Sequence, residues 1–273
     1  MSISIVILTL NEEVNLPDAL ASAVHSDDIV VFDSFSADRT IEIAATAGVR
    51  VVQRRFDNYA AQRNAALTDV SYKHPWVLML DADERITPAL WQEMVARVAI
   101  ATSDETMFRM RRMDYFMGRW LRRSSGYPTW FGRLLRIGGV RVEREINEEY
   151  VTEGQIGFLS EHLLHYPFNR GFEYWFERHN KYSTAEARRL IFEKRLKWRA
   201  ADLISADPTV RRKCLKQLAY RLPFRPTLVF LYLYFIRLGC TDGLAGLYFC
   251  RMRSIYEYMI DIKVTEAEST TVS

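Results

Sequence analysis

Through the first hundred residues, short apolar runs alternate with amphipathic stretches. Residues 4–10 read SIVILTL, β-branched and almost wholly apolar, as in a strand buried on both faces of a parallel sheet. A helix is predicted over 16–24, with Pro17 in its first turn. Residues 28–32 (DIVVF) predict a second strand ending at Asp33. The segment Ser36-Ala37-Asp38-Arg39-Thr40 opens a helix through Ala47, which Gly48 closes. A third strand over 49–53, a helix over 58–67, a fourth strand over 76–80 and a helix over 88–101 follow. This alternation predicts an α/β fold with a mostly parallel, Rossmann-like sheet.

Polar residues stand just after three strand ends: Asn11-Glu12, Asp33, and Asp81 with Asp83. Open parallel sheets bind ligands beyond the carboxyl ends of their strands, so all three point to one crevice. Residues 105–165 differ. Short strands over 107–112, 133–137 and 157–159, interrupted by Gly and Pro, extend the sheet. Residues 172–204 read as helical, with aromatics on one face and many basic residues. The aromatic, Tyr-rich stretch 227–264 is broken by Gly239, Gly243 and Gly246, and the last nine or so residues are polar. No internal repeat is visible.

The hydrophobic fraction, 49% of 273 residues, is enough for a sizeable core and excludes global disorder. Cys214, Cys240 and Cys250 are odd in number and lack CxxC spacing. That argues against a disulfide framework or a zinc site and suits a reducing cytosol. The N-terminus lacks the basic region and cleavage site of a signal peptide. The longest strongly apolar run, 228–236, falls short of the roughly 20 residues a membrane span needs. The net charge of +3 is uneven: residues 170–225 hold 15 Lys/Arg against 6 Asp/Glu, whereas residues 1–169 hold 18 against 23. An acidic front and a basic middle imply two functional regions.

Four motifs occur in order: TLNEE (9–13), VFDSFSADRT (31–40), QRNAAL (62–67) and LDADE (80–84). Together they resemble the family 2 glycosyltransferases with the GT-A fold, closest to the bacterial lipopolysaccharide-core β-1,4-glucosyltransferase-like branch. Asn147-Glu148, Leu164-His165-Tyr166 and the tail PFRPTLVFLYLYFIRLGCTDGLAGL are similar to that branch too. The resemblance implies a GT-A catalytic domain over 1–165 and a helical C-terminal region over 166–273. Thr9, Asn11 and Glu12 would lie beside the nucleobase and ribose, and Asp33 would bond the uracil or ribose. Asn11 and Asp33 equally suit helix caps.

Asp81-Ala82-Asp83 matches the family's Asp-x-Asp pattern. The resemblance implies that Asp83 ligates Mg²⁺ or Mn²⁺, with Asp81 nearer the ribose. A hard cation held by one or two carboxylates and the donor phosphates would neutralise the leaving diphosphate. Arg63 and Asn64 would face the donor, Arg63 pairing with the diphosphate; a solvated helix arginine is the alternative. Glu148 is the candidate base for the acceptor hydroxyl in an inverting transfer. The branch usually has His-Glu where this chain has Asn147-Glu148-Glu149, so Glu149 competes for that role. His165 either completes the metal shell or packs as a core histidine. Trp130 either stacks on a sugar ring or packs in the core. The processive signature Gln-x-x-Arg-Trp is missing from its expected region, which favours a single-addition enzyme.

Arg188, Arg189, Lys194, Arg195, Lys197 and Arg199 form one basic cluster, and Arg211, Arg212, Lys213 and Lys216 a second. Such segments bind anionic membrane surfaces, with a solvated face, a dimer interface or simple packing as alternatives. Nucleic acid is a poor fit, because no strand platform carries the aromatics and the front is acidic. The expectation is a metal-dependent, inverting hexosyltransferase, peripheral on the cytoplasmic face of the inner membrane. Its donor would be a UDP-sugar, with UDP-glucose first, and its acceptor a lipid-linked or lipopolysaccharide-core saccharide. The rivals are a sugar-phosphate nucleotidyltransferase, disfavoured because TLNEE has no glycine, and a non-catalytic scaffold at the membrane.

Overall fold

Ile5, Val6 and Ile7 of strand β1 (Ser4–Thr9) are fully buried because both faces of the strand are covered. Ile5 and Ile7 pack with Leu16, Ala19 and Leu20 of α1 (Leu16–Ala23) and with Leu90 and Met94 of α4 (Pro88–Ile100). Val6 packs on the other side with Ala60, Ala65 and Ala66 of α3 (Tyr59–Thr68). The unbroken apolar run is thus the sequence trace of a strand between two helical layers. The computed structural model describes residues 3–143, 149–195, 222 and 224–270. It divides into two units, Met1–Tyr115 with Gly126–Asn169 and Phe116–Ser125 with Arg170–Ser273.

In the first unit β1 is flanked by parallel β2 (Ile29–Asp33) and β4 (Trp76–Asp81), and β3 (Arg50–Gln53) adds in parallel beyond β2. Beyond β4 the sheet becomes mixed. Running outward from β4, its order is β8 (Trp130–Arg136), β6 (Glu105–Phe116), β11 (Gln155–His165) and the two-residue β5 (Glu84–Arg85). β8 is antiparallel to both neighbours, while β11 runs parallel to β6. A separate two-stranded sheet pairs β9 (Arg141–Glu143) with β10 (Glu149–Val151). This is the expected α/β fold with a mostly parallel sheet.

Two local expectations change. The helix expected from Ser36 is α2, Thr40–Thr46. Residues 36–39 form a loop instead, because the Ser36 and Asp38 side chains bond neighbouring backbone and side-chain groups in place of a helical turn. The strands of residues 105–165 are longer than expected, β6 reaching 12 residues and β11 reaching 11. Their polar arginines and carboxylates hide the strand pattern, and a bulge between Phe158 and His162 breaks the alternation of β11.

The second unit contains β7 (Arg119–Trp120), α5 (Gly171–Arg195), α6 (Arg225–Leu231) and α7 (Gly243–Thr270). Trp175, Ser183, Ala187 and Leu190 make the buried stripe of α5, and Leu190 meets Ile260 and Val264 of α7. Buried Asp242 accepts backbone N–H bonds from Arg122, Arg123 and Ser124 at 2.8–3.2 Å, which ties the 116–125 loop to this unit. The tail glycines have a packing reason at Gly246, where a Cβ would lie 2.1 Å from the Gly239 carbonyl oxygen. No single helix among the described residues is long and apolar enough to cross a membrane. Of the two basic clusters, Lys197 and Arg199 of the first and all of the second, Arg211, Arg212, Lys213 and Lys216, lie outside the described residues.

Candidate active site

The parallel register sets Thr9 opposite Asp33 and Leu8 opposite Asp81, so three strand ends open on one side of the sheet. Asp33 is fully buried. Its Oδ1 accepts from Thr9 Oγ1 (2.9 Å) and Ser36 Oγ (2.5 Å). Its Oδ2 accepts from the Ser36 N–H (2.9 Å) and Gln53 Nε2 (3.1 Å). Asn11 has a left-handed backbone (φ 55°), which asparagine tolerates better than most residues. From there its N–H donates to Ser36 Oγ and its Oδ1 accepts from the Ala37 N–H, both at 2.7 Å. The Glu12 N–H donates to Thr40 Oγ1 (2.8 Å), and its carboxylate accepts from Asn15 Nδ2 (2.8 Å). Asn11 and Asp33 therefore cap no helix. They knit the loops after β1 and β2 into one wall, and a nucleotide reaches Asp33 only by displacing one of four donors.

Beside this wall runs an alternating chain of charges. Arg63 Nη2 donates to Asp81 Oδ1 (2.7 Å), and Arg133 Nη2 to Asp81 Oδ2 (2.5 Å) and Glu84 Oε1 (2.9 Å). Arg112 lies 3.5 Å from Glu84 and bonds Asp114 at 3.0 Å. Asp114 Oδ1 is 2.6 Å from His165 Nδ1, and His165 Nε2 is 3.3 Å from Asp83 Oδ2. The pairing of β5 with the end of β11 aligns His165 with Glu84, which brings Asp83 and His165 together. Burial pushes the Asp81 carboxyl up, but Arg133 and Arg63 outweigh it and hold it well below the usual carboxylate range. Burial also opposes ionisation of Asp83, where His165 prevails and lowers the pKa. Against its own burial, His165 is raised to about 9 by Asp83 and Asp114.

Several residues take tasks other than those expected. Asn64 turns both ends of its amide to one residue: Nδ2 donates to the Val142 carbonyl and Oδ1 accepts from the Val142 N–H, each at 2.8 Å. It clamps β9 to α3 rather than facing a donor. Arg63 is buried and held by Asp81, not solvated on its helix. Trp130 is 39% exposed, so it is not a core residue. Glu148 and Asn147 lie outside the described residues, while Glu149 begins β10 and is exposed.

The sequence reading gave no role to Arg133, Arg112 or Asp114. The signal for them is a cluster of charges inside otherwise strand-like segments, Arg111-Arg112-Met113-Asp114 and Phe131-Gly132-Arg133-Leu134. It also passed over Phe35, which is 53% exposed beside the wall in a left-handed conformation (φ 62°). For a bulky residue this conformation stores about 1–3 kcal/mol of strain.

Among the described residues no group of three or more His, Cys, Asp or Glu gathers on one point. Asp83 and His165 supply two donors, and Asp83 Oδ1 accepts no hydrogen bond among the described residues. Mg²⁺ is usually held by one or two protein ligands, with water and substrate phosphates completing the shell. Asp114 on the far nitrogen of His165 is the usual outer support of a ligating histidine. The donor set thus fits a divalent cation bound jointly with a diphosphate.

The sequence is similar to those of known proteins. The chain is 28% identical to the lipopolysaccharide core biosynthesis glycosyltransferase LpsC of Rhizobium meliloti (strain 1021), over 97% of this chain and 92% of that protein. It is 36% identical over 93 residues to an uncharacterized glycosyltransferase of Rickettsia bellii (strain RML369-C), covering 34% of this chain and 31% of that one. Glucosyl-3-phosphoglycerate synthase from Mycobacterium tuberculosis, solved with Mn²⁺, uridine diphosphate and glucosyl-3-phosphoglycerate, matches at 21% identity and a TM-score of 0.35. That match covers 42% of this chain and 44% of that chain, too partial to transfer any feature. Residues 4–157 match the model of Glycosyl transferase family 2, more than half of the chain. The chain belongs to glycosyl transferase family 2.

Proposed function

We propose that this transferase moves a hexose from a UDP-sugar, with UDP-glucose the first candidate, to a saccharide hydroxyl of a lipopolysaccharide core or lipid-linked glycan. The observation that carries the reading is the meeting of Asp83 and His165 at 3.3 Å, beside the wall formed by the β1 and β2 ends. The full-length similarity to LpsC supports the choice of acceptor.

In this reading Asp83 and His165 hold Mg²⁺ or Mn²⁺, which supplies charge compensation for the departing diphosphate. Asp81 is fixed by Arg63 and Arg133 near the ribose. Thr9, Asn11, Glu12 and Asp33 shape the base and ribose pocket, with Phe35 as an exposed ring beside it. Glu148 takes the proton from the acceptor hydroxyl. The acceptor oxygen bonds to the anomeric carbon from the face opposite the diphosphate, the bond to the leaving oxygen breaks, and the configuration inverts.

The second unit would attach to the inner face of the membrane. Leu228, Leu231, Tyr232, Phe235 and Ile236 are exposed on α6 and the π-helical segment that continues it, an aromatic and aliphatic set suited to a bilayer interface. Flotation with anionic liposomes at low salt tests attachment, and failure to co-float rejects it.

The test of the reaction is a screen of UDP- and GDP-sugars with Mn²⁺ and lipid extract, scored by glycoside formation. Asp83→Ala and Glu148→Gln should each lower turnover by orders of magnitude. Full turnover in both variants would overturn the reading.

A further inference from the structure

One face of β6 carries two cations whose charge the active-site chain does not use. Arg109 and Arg111 are two residues apart on a strand, so they project on the same side, whereas Arg112 turns the other way into the ion-pair chain. Among the described residues neither Arg109 nor Arg111 has a carboxylate within ion-pair distance, whereas Arg112 pairs with Glu84 and Asp114. Arg111 donates to the Ser160 carbonyl, and its Nε is buried with no acceptor among the described residues. A buried guanidinium donor left without an acceptor is unfavourable, and a ligand that supplies one relieves it.

Aromatic rings flank the two arginines. Trp130 stands opposite Arg111 on β8, and Phe158 opposite Arg109 on β11. The two rings meet edge to face over β6, with centroids 5.1 Å apart. The Arg111 guanidinium lies 5.2 Å from the Trp130 ring centre. Both rings remain open to solvent, Phe158 at 53%. Next to Arg111 in the register is His162, whose Nε2 is 2.9 Å from the Tyr127 hydroxyl. Exposed rings together with unpaired guanidinium groups suit a pyranose that bears a negative group. The C–H face of such a sugar packs on an aromatic ring, and its anion takes the guanidinium.

The register also fixes where this patch lies. Asp114 and Arg111 are three residues apart on β6, and Asp114 aligns with His165. At the rise of a strand the patch lies about 10 Å along β6 from the Asp114–His165 pair, and the odd spacing puts it on the opposite face of the sheet. We infer that Arg109, Arg111, Trp130 and Phe158 form a subsite for an anionic sugar, carrying a carboxylate or a phosphate, on the face of the sheet turned away from the Asp114–His165 pair. That this sugar is a distal residue of the acceptor glycan rests on the transferase reading above; the anion and ring recognition does not.

The experiment uses the full chain and three probes: methyl glucoside, methyl glucuronide and methyl glucoside 6-phosphate. Affinities are read by ligand-observed NMR, with a UDP–Mn²⁺ titration in parallel. The wild type should bind one or both charged glycosides about tenfold more tightly than the neutral one, and which one binds identifies the anion. Arg111→Gln and Arg109→Gln should remove that preference and leave the neutral probe unchanged. Trp130→Ala should weaken all three probes, with Trp130→Phe restoring part of the loss. UDP binding should stay constant in every variant, which also reports that the fold is intact. Equal binding of charged and neutral probes, no binding of any probe, or an Arg111→Gln variant identical to wild type would overturn the subsite. Absence of UDP binding by the wild type would overturn the transferase reading instead, and the sugar titrations would still judge the subsite.

Discussion

His165 Nδ1 lies 2.6 Å from Asp114 Oδ1, which leaves the opposite nitrogen of the ring aimed at Asp83. A carboxylate placed this way fixes both the orientation and the tautomer of a ligating imidazole, and losing such support typically weakens metal affinity about 10- to 100-fold. Asp114→Asn should therefore weaken Mn²⁺ binding in the presence of UDP by that factor, read by calorimetry. Unchanged affinity would remove His165 from the cation's shell.

Arg133 is buried between Asp81 and Glu84, and Glu84 has no exposed surface of its own. Removing one partner from a buried ion pair leaves an uncompensated charge and typically costs about 3–5 kcal/mol. Arg133→Met should lower stability by about that amount in urea unfolding, while Arg133→Lys should recover part of it. A loss below about 1 kcal/mol would mean that water reaches these carboxylates and replaces the arginine.

The contrast between Asp81 and Arg133 shows how far the sequence could be read. Asp81 follows an apolar strand directly, so its place at a strand end is a local property. The partner that neutralises it is not local: Arg133 reaches Asp81 only because β8 inserts between β4 and β6. A register shift opposite Phe108 and Arg109, at the level of Arg133, interrupts the alternation there. No periodicity encodes that insertion. The same holds for Asn64, whose helix was legible but whose partner, Val142, lies 78 residues away on β9. Arg63 shows the converse: the motif singled it out for a donor diphosphate, and only the fold reveals that it grips Asp81.

Asn64 allows a clean separation of structural and nucleotide roles. Its amide satisfies both backbone groups of the buried Val142. Asn64→Ala should cost about 2 kcal/mol through these two bonds, seen as a lower unfolding midpoint. The dissociation constant for UDP, titrated below that midpoint, should not change. A large loss of UDP affinity with unchanged stability would restore Asn64 to the donor site.

In the second unit, His179 couples stability to pH. Its ring stacks on Trp175 with centroids 3.7 Å apart and meets the edge of Tyr256. Burial, with Arg253 and Arg178 nearby, pushes its pKa down to about 4, although Nδ1 is bonded to the Trp175 carbonyl. The unfolded chain titrates near 6.5, so below that pH it binds a proton that the folded chain refuses. This contribution is fully present above about pH 6.5 and declines as the pH falls toward 4. His179→Phe keeps an aromatic ring against Trp175 and removes the titration. The urea midpoint of the wild type should therefore drop more between pH 7.5 and pH 5 than that of His179→Phe. Parallel curves for the two proteins would show that the imidazole protonates in place without cost.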